Sequence, residues 1–366
     1  MERSRFTLPR FGTLKAVLRI CAAVILILIL LNRTDVPHAF DLIRGARVGL
    51  LLAGVLVMAV PLLIGGFRWW LLLRSQGLRL PFDFVLRLNV AGYALSTVLP
   101  TSVGGDLLRV GYSTRGGRVE AALATVLADR ILGVGGLLII CDLASLLLLA
   151  RTGSPGLVAL AGPATAVVSV FLLALGFEPT YSGLVRLAGR VRVLRLGERL
   201  VRVADGVRQY RTQPRLVLKA LLLSVLLWLV YSFVWFLLGS SVRSPAPILS
   251  YLVCVPLVSL SAMLPISIGG LGVRENSFVI LMGRFGTPEA TAAAVALLFL
   301  GVTAFYALVG VLSVGTLRRQ SGPQGCEAPG RSRRVLSANP SDRARSPESS
   351  TAGVLDYLNR GTRVGA

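Results

Sequence analysis

Two eleven-residue windows of this chain carry the same chemistry. Leu99-Pro-Thr-Ser-Val-Gly-Gly-Asp-Leu-Leu-Arg109 and Leu264-Pro-Ile-Ser-Ile-Gly-Gly-Leu-Gly-Val-Arg274 share Leu-Pro-x-Ser-[Val/Ile]-Gly-Gly-x-x-x-Arg at an offset of 165 residues. Proline stops a helix, and paired glycines let the freed backbone N–H groups approach a ligand. Ser102, Gly104, Gly105 and Arg109 in the first window, and Ser267, Gly269, Gly270 and Arg274 in the second, therefore supply donors and charge suited to a phosphate or carboxylate. Either window alone also fits an interfacial loop with a proline stop and a glycine cap; the repetition favours the anion site.

Further charges surround these windows. Asp106 lies inside the first, Glu275 follows the second, and Asp129-Arg130 interrupts the apolar run Val119–Ala150, which also holds Asp142. A charge at the centre of a membrane helix costs about 2.5–3.5 kcal/mol, so such residues need a partner or a role. Ala122, Thr125, Asp129, Gly133 and Gly136 share one helical face of small residues, which predicts that Asp129 points into a bundle. Arg130 sits one position round the helix, within reach of Asp106, Glu120 or Glu275. Asp106, Asp129, Arg130 and Glu275 are candidates for gating or proton coupling, and a salt bridge that merely holds the bundle together is an equal reading for Asp129 and Arg130.

Other chemistries find few materials. Cys21, Cys141 and Cys254 lie in apolar runs, Cys326 lies in a polar tail and His38 is the only histidine. No zinc site, disulfide framework or Ser-His or Cys-His pair can be assembled, and no metal or cofactor is expected. Val103-Gly-Gly-Asp106 is similar to the Gly-x-Gly-Asp of aspartyl intramembrane proteases but lacks the first glycine and a Tyr-Asp partner.

The elements that must position these residues follow from composition. Of 366 residues, 54% are hydrophobic and 15% charged, with a mean hydropathy of +0.73; an ordinary soluble fold is excluded. The formal charge of +22 is spread between and around apolar runs, so it reads as topology and not as nucleic-acid binding. Arg3, Arg5, Arg10, Lys15 and Arg19 precede the run Ala16–Leu31, which predicts an uncleaved first helix with its basic end in the cytoplasm. Arg68, Trp69, Trp70 and Arg74 read as the cytoplasmic end of a second span that begins at Val48. The segment 177–215 carries arginines at 186, 190, 192, 195, 199, 202, 208, 211 and 215, an excess that places it in the cytoplasm against anionic lipid headgroups.

Parity then requires Phe84–Arg109 to enter and leave on one side, because Val119–Ala150 and the run ending at Gly176 make a hairpin between two cytoplasmic segments. The same count makes Ile248–Arg274 re-entrant from the opposite face. The expectation is an all-α polytopic membrane protein, a helical bundle of six full spans with two inverted repeats (about 48–150 and 216–317), each containing a re-entrant broken helix. Residues 1–317 form the membrane domain, and 318–366 a disordered basic cytoplasmic tail. Ser96 meets Ser261, and Trp70 meets Trp235, at the same 165-residue offset.

Over residues 14–317 the chain resembles the flippase-like family typified by the transmembrane region of lysylphosphatidylglycerol synthases. The resemblance rests on Arg68-Trp69-Trp70 with Leu72-Leu73-Arg74, on Leu99-Pro100 to Gly104-Gly105-Asp106 and Arg109, on Asp129-Arg130, and on Gly269-Gly270-Leu271-Gly272-Val273-Arg274-Glu275. It implies movement of lipids or lipid-linked molecules between leaflets. Aminoacylation in that family belongs to a separate soluble domain, for which 318–366 leaves no room. Asp106 stands where glutamate is common in the family, which keeps the charge and shortens the reach.

The expected function is translocation of a lipid or lipid-linked anion across the plasma membrane, with both termini cytoplasmic, no nucleic-acid partner and no enzymatic activity. An intramembrane lipid-modifying enzyme or hydrolase using Asp106 and Asp129 is one alternative. A membrane scaffold that binds anionic lipid through the Arg-rich segment is another; it predicts that the two breaks tolerate mutation while charge reversal in 186–215 does not.

Overall fold

The computed structural model describes residues 13–98, 104–114, 118–152, 162, 166, 203–264 and 266–320, and no strand occurs among them. Ser102, both prolines of the repeated windows, most of the expected span up to Gly176, most of the Arg-rich segment and the tail beyond 320 lie outside the described residues. Helix is what a chain this apolar must form, since hydrocarbon offers no partner for an unpaired backbone group.

The helices are α1 (Thr13–Arg33), α2 (Val36–Arg44), α3 (Val48–Val57), α4 (Ala59–Ser75), α5 (Phe82–Val98), α6 (Gly104–Ser113), α7 (Val119–Thr152), α8 (Pro214–Ser241), α9 (Ile248–Met263), α10 (Val273–Gly283) and α11 (Glu289–Gln320). Four stretches among the described residues are long and apolar enough to cross a membrane: Val48–Ser75, Val119–Arg151, Pro214–Ser241 and Glu289–Ser313. The first contains the α3–α4 junction at Met58. Pro61 has no N–H to offer the Val57 carbonyl, which accounts for the interruption, and the Val55 carbonyl beside it accepts the Tyr306 hydroxyl at 2.7 Å.

The order long helix, shorter helix, break, short helix, long helix occurs twice, as α3/α4–α5–α6–α7 and as α8–α9–α10–α11. Val48 answers Pro214, Ser75 answers Ser241 and Phe82 answers Ile248, each 166 positions apart. This register corrects one sequence expectation. Trp235 pairs with Trp69, not Trp70, and burial agrees: Trp69 and Trp235 are 0% and 1% exposed, whereas Trp70 is half-buried. The packing is reciprocal as well, since α11 lies along α5 and α7 lies along α9.

The first helices of the two units run antiparallel. At one end the Arg47 N–H donates to the Ser241 carbonyl at 2.9 Å; at the other the Tyr210 hydroxyl donates to the Leu72 carbonyl at 3.1 Å. Tyr210 belongs to a 3-10 turn before α8, and burial pushes its phenol up to about 12. That second end also gathers Gly77 and Arg118, whose guanidinium would lie 3.1 Å from a Cβ placed on Gly77. The chain therefore leaves α4 and enters α7 at the same end of the bundle. Helices α5 and α9 have 17 and 16 residues, about 24–26 Å at 1.5 Å per residue, less than the ~30 Å of a hydrocarbon core.

The largest apolar core surrounds Trp235, stacked on Phe299 at 4.0 Å and packed on Phe278 at 4.4 Å between ring centroids. A second joins Trp69, Leu73, Val85, Leu88, Ala91 and Val126. Large apolar side chains such as Leu56 and Leu312 face outward, as a lipid-facing wall requires.

Candidate functional site

The second break is built from glycines in the left-handed region: Gly269 (φ 57°), Gly270 (φ 76°) and Gly272 (φ 80°). Side chains rarely adopt this backbone, and space forbids them too. A Cβ on Gly269 would lie 2.7 Å from the Thr97 carbonyl oxygen, so the second break sits against the end of α5, one residue before the helix stops at the first break. At the first break a Cβ on Gly105 would collide with the Gly92 carbonyl and the Ser96 hydroxyl. This lets α6 fold back tightly on α5.

Between the breaks lies a cavity of about 690 Å³. Arg19, Arg68, Arg109, Arg130 and Arg274 line it against Asp106 and Asp129, so cations exceed anions. Gly105, Ser267, Gly269 and Gly270 also line it. The structure thus brings Arg109 and Arg274, the last residues of the two windows, to one cavity. Gly104 is buried and Glu275 is 2% exposed; neither is on the cavity wall.

Asp129 is the hub. Its Oδ1 accepts from Arg68 Nε at 2.7 Å and its Oδ2 from Arg109 at 3.3 Å. It is 4% exposed, on the interior face expected for it. Arg68 also donates to the Ser224 hydroxyl at 2.7 Å, and Gly133, one turn after Asp129, leaves room for its guanidinium. The reading of Arg68 and Trp69 as interfacial is therefore wrong: Arg68 is 6% exposed, because α4 continues to Ser75 and leaves Arg68 about two turns inside the helix. The signal available in sequence was the charge itself, since an arginine within a span needs an acidic or carbonyl partner.

Arg109 lies 5.1 Å over the Trp69 ring and donates to the Asn89 side-chain oxygen, while Asn89 is anchored through its amide to the Leu62 carbonyl at 2.9 Å. Neither Asn89 nor Ser224 was singled out from sequence. Arg109 also approaches Asp106 at 4.0 Å. Arg130 donates to both oxygens of Asp106 at 3.1 Å, which selects Asp106 among its three possible partners. This pair is the more exposed one, with 46% of the Arg130 side chain accessible, and such pairs contribute little to stability.

The second unit is simpler. Arg274 binds its neighbour Glu275 through Nε at 3.0 Å and a terminal nitrogen at 2.8 Å, and reaches the Thr303 hydroxyl at 3.4 Å. The Glu275 Oε2 accepts from the Gly272 N–H at 2.7 Å, capping α10. Glu275 thus fixes Arg274 and the break together. Arg274 lies 4.9 Å over the Phe299 ring, as Arg109 lies over Trp69. Two buried polar atoms here have no hydrogen-bond partner among the described residues: Arg109 Nε and Ser267 Oγ. No group of three or more His, Cys, Asp or Glu that could hold a metal occurs among the described residues.

The sequence is similar to known proteins. A UPF0104 membrane protein of Pyrococcus horikoshii is 29% identical over 125 residues, which cover 33% of this chain and 37% of the relative; the match thus spans little more than a third of that protein's length. The lysylphosphatidylglycerol synthase TM region matches residues 16–310, from α1 into α11 and across both breaks. This polytopic helical membrane protein belongs to the lysylphosphatidylglycerol synthase TM region family.

Proposed function

We propose that the protein translocates an anionic lipid or lipid-linked molecule between leaflets, holding the headgroup between Arg109 and Arg274. The observation that carries this reading is the single cavity of about 690 Å³ lined by both arginines and richer in arginine than in carboxylate. A headgroup reaches the arginines of that cavity while its acyl chains stay in the bilayer against the apolar exterior. The two units act as inverted repeats, with α5–α6 and α9–α10 as re-entrant pairs whose broken backbones meet at the headgroup. The antiparallel α4 and α8, the shortness of α5 and α9 and the contact of Gly77 with Arg118 support this arrangement.

In this reading the protein sits in the plasma membrane with both termini cytoplasmic, and the Arg-rich segment attracts anionic headgroups there. It carries out no covalent chemistry. Asp106 and Asp129 are both engaged by arginines, an arrangement that suits charge balance better than an aspartyl dyad.

The test is a leaflet-resolved assay with purified protein in liposomes, following a fluorescent anionic phospholipid placed in one leaflet. Protein-containing vesicles are expected to equilibrate the probe faster than empty ones, and the Arg109→Gln/Arg274→Gln variant to lose that increment. Equal rates with and without protein would remove the proposal.

A further inference from the structure

The pairing distances around the cavity rank four of its five arginines. Arg68 meets Asp129 at 2.7 Å, Arg130 meets Asp106 at 3.0 Å and Arg274 meets Glu275 at 2.8 Å. Arg109 is the fourth arginine of a cluster with three carboxylates. It reaches Asp129 at 3.3 Å and Asp106 at 4.0 Å, and another arginine already holds each of these more closely. Its Nε–H is buried with no partner among the described residues.

Asp129 divides its two oxygens cleanly. Oδ1 serves Arg68 and Oδ2 serves Arg109, so the second contact can be lost without the first. Across the cavity, Ser267 is 6% exposed and its hydroxyl has no partner among the described residues. A donor from each break thus awaits an acceptor.

We infer that Asp129 is an internal stand-in for the transported anion, an inference that rests on the translocator reading. Its Oδ2 occupies Arg109 until an arriving oxyanion takes that contact over, with Ser267 donating from the other break, while Arg68 retains Asp129 through Oδ1. One negative group replaces another at Arg109, so the buried guanidinium is never left without a counter-charge. A neutral ligand cannot make this exchange. Arg68 and Asp129 are positioning residues in this scheme, and Asp129 sets affinity by competing with the ligand.

The consequence is a pair of opposite-signed effects. Asp129→Asn removes the internal competitor and tightens anion binding by about fivefold or more, the lower end of typical coupling between linked equilibria. Arg68→Gln releases Asp129 to Arg109 alone and weakens binding by about the same factor. The double variant, which has lost both the competitor and its holder, binds more tightly than Arg68→Gln.

The experiment is isothermal titration of the full-length protein in neutral detergent, with dihexanoyl phosphatidylglycerol in one arm and inorganic phosphate in the other. These arms separate a lipid headgroup from free phosphate, and the order of the variants is read with whichever probe binds. Tighter binding by Asp129→Asn together with weaker binding by Arg68→Gln supports the exchange. A folded Asp129→Asn that binds more weakly than wild type overturns it. If Asp129→Asn does not fold, the comparison of Arg68→Gln with the charge-balanced double variant decides, and a double variant no tighter than Arg68→Gln overturns the inference. Wild-type protein that binds neither anion would instead overturn the translocator reading itself.

Discussion

Arg68 on α4 and Asp129 on α7, 61 positions apart in the chain, are joined through Nε and Oδ1 at 2.7 Å with both side chains less than a tenth exposed. Removing one member strips the other of its closest counter-charge, leaving Asp129 only the longer contact to Arg109 at 3.3 Å; breaking a buried pair in this way costs about 3–5 kcal/mol, whereas removing both members often costs little. Arg68→Leu and Asp129→Leu should each lower the thermal unfolding temperature in detergent markedly, and the double variant should regain most of the loss. Singles that melt like wild type would show that the pair does not hold α4 to α7.

Arg109→Gln and Arg274→Gln should each weaken binding of an anionic phospholipid by about 1.5–3 kcal/mol, the range for a hydrogen bond to a charged group. Lysine at either position should rescue only partly, because it keeps the charge and loses the planar fork. In the proposed function both arginines grip one headgroup, so the double variant should lose less than the sum of the singles. Full additivity in titrations on folded protein would place them at separate sites.

Gly105 tests the packing of the first break. A methyl group there meets the Gly92 carbonyl and the Ser96 hydroxyl, so Gly105→Ala should destabilise by about 1–3 kcal/mol as an overpacked contact does. Gly301, in the body of α11 with open space around its would-be Cβ, is the control. Gly301→Ala should be neutral or slightly stabilising. Equal melting temperatures for the two variants would mean that α5 and α6 can separate at little cost.

Topology can be read with single cysteines and a membrane-impermeant maleimide. Cysteines at Arg118 and Arg208, at the end of the bundle shared with Gly77, should label from the cytoplasmic side. Those at Arg47 and Arg243, near the Arg47–Ser241 contact at the other end, should label from outside. Labelling of position 118 from the same side as position 47 would turn α5–α6 into an ordinary crossing and remove the inverted repeat.

Much of this was legible in the chain itself. Apolar runs with few charges determine helices in a bilayer, because hydrocarbon leaves the backbone no other way to pair its polar groups. The two repeated windows fall where α5 and α9 end, and in the second the left-handed Gly269 and Gly270 act on their own residues. The interior face of Asp129 followed from helical periodicity, which orders the residues around one helix.

Periodicity says nothing about which helix stands opposite, and there the tertiary structure decided. Whether Arg130 turned to Asp106, Glu120 or Glu275 depended on how α6 folds back onto α5, through the missing side chain of Gly105. Arg68 became the partner of Asp129 because α4 continues two turns past it, which carries an apparently interfacial arginine into the bundle. Trp69 and not Trp70 matched Trp235 because one residue of register rotates a helix by about 100°, enough to exchange a core position for a half-buried one. Whether Arg109 and Arg274 share one cavity depended on the left-handed turn at Gly269 seating against the Thr97 carbonyl, a contact between residues 172 positions apart. Sequence determines the parts and their local geometry; packing across the bundle alone selects their partners.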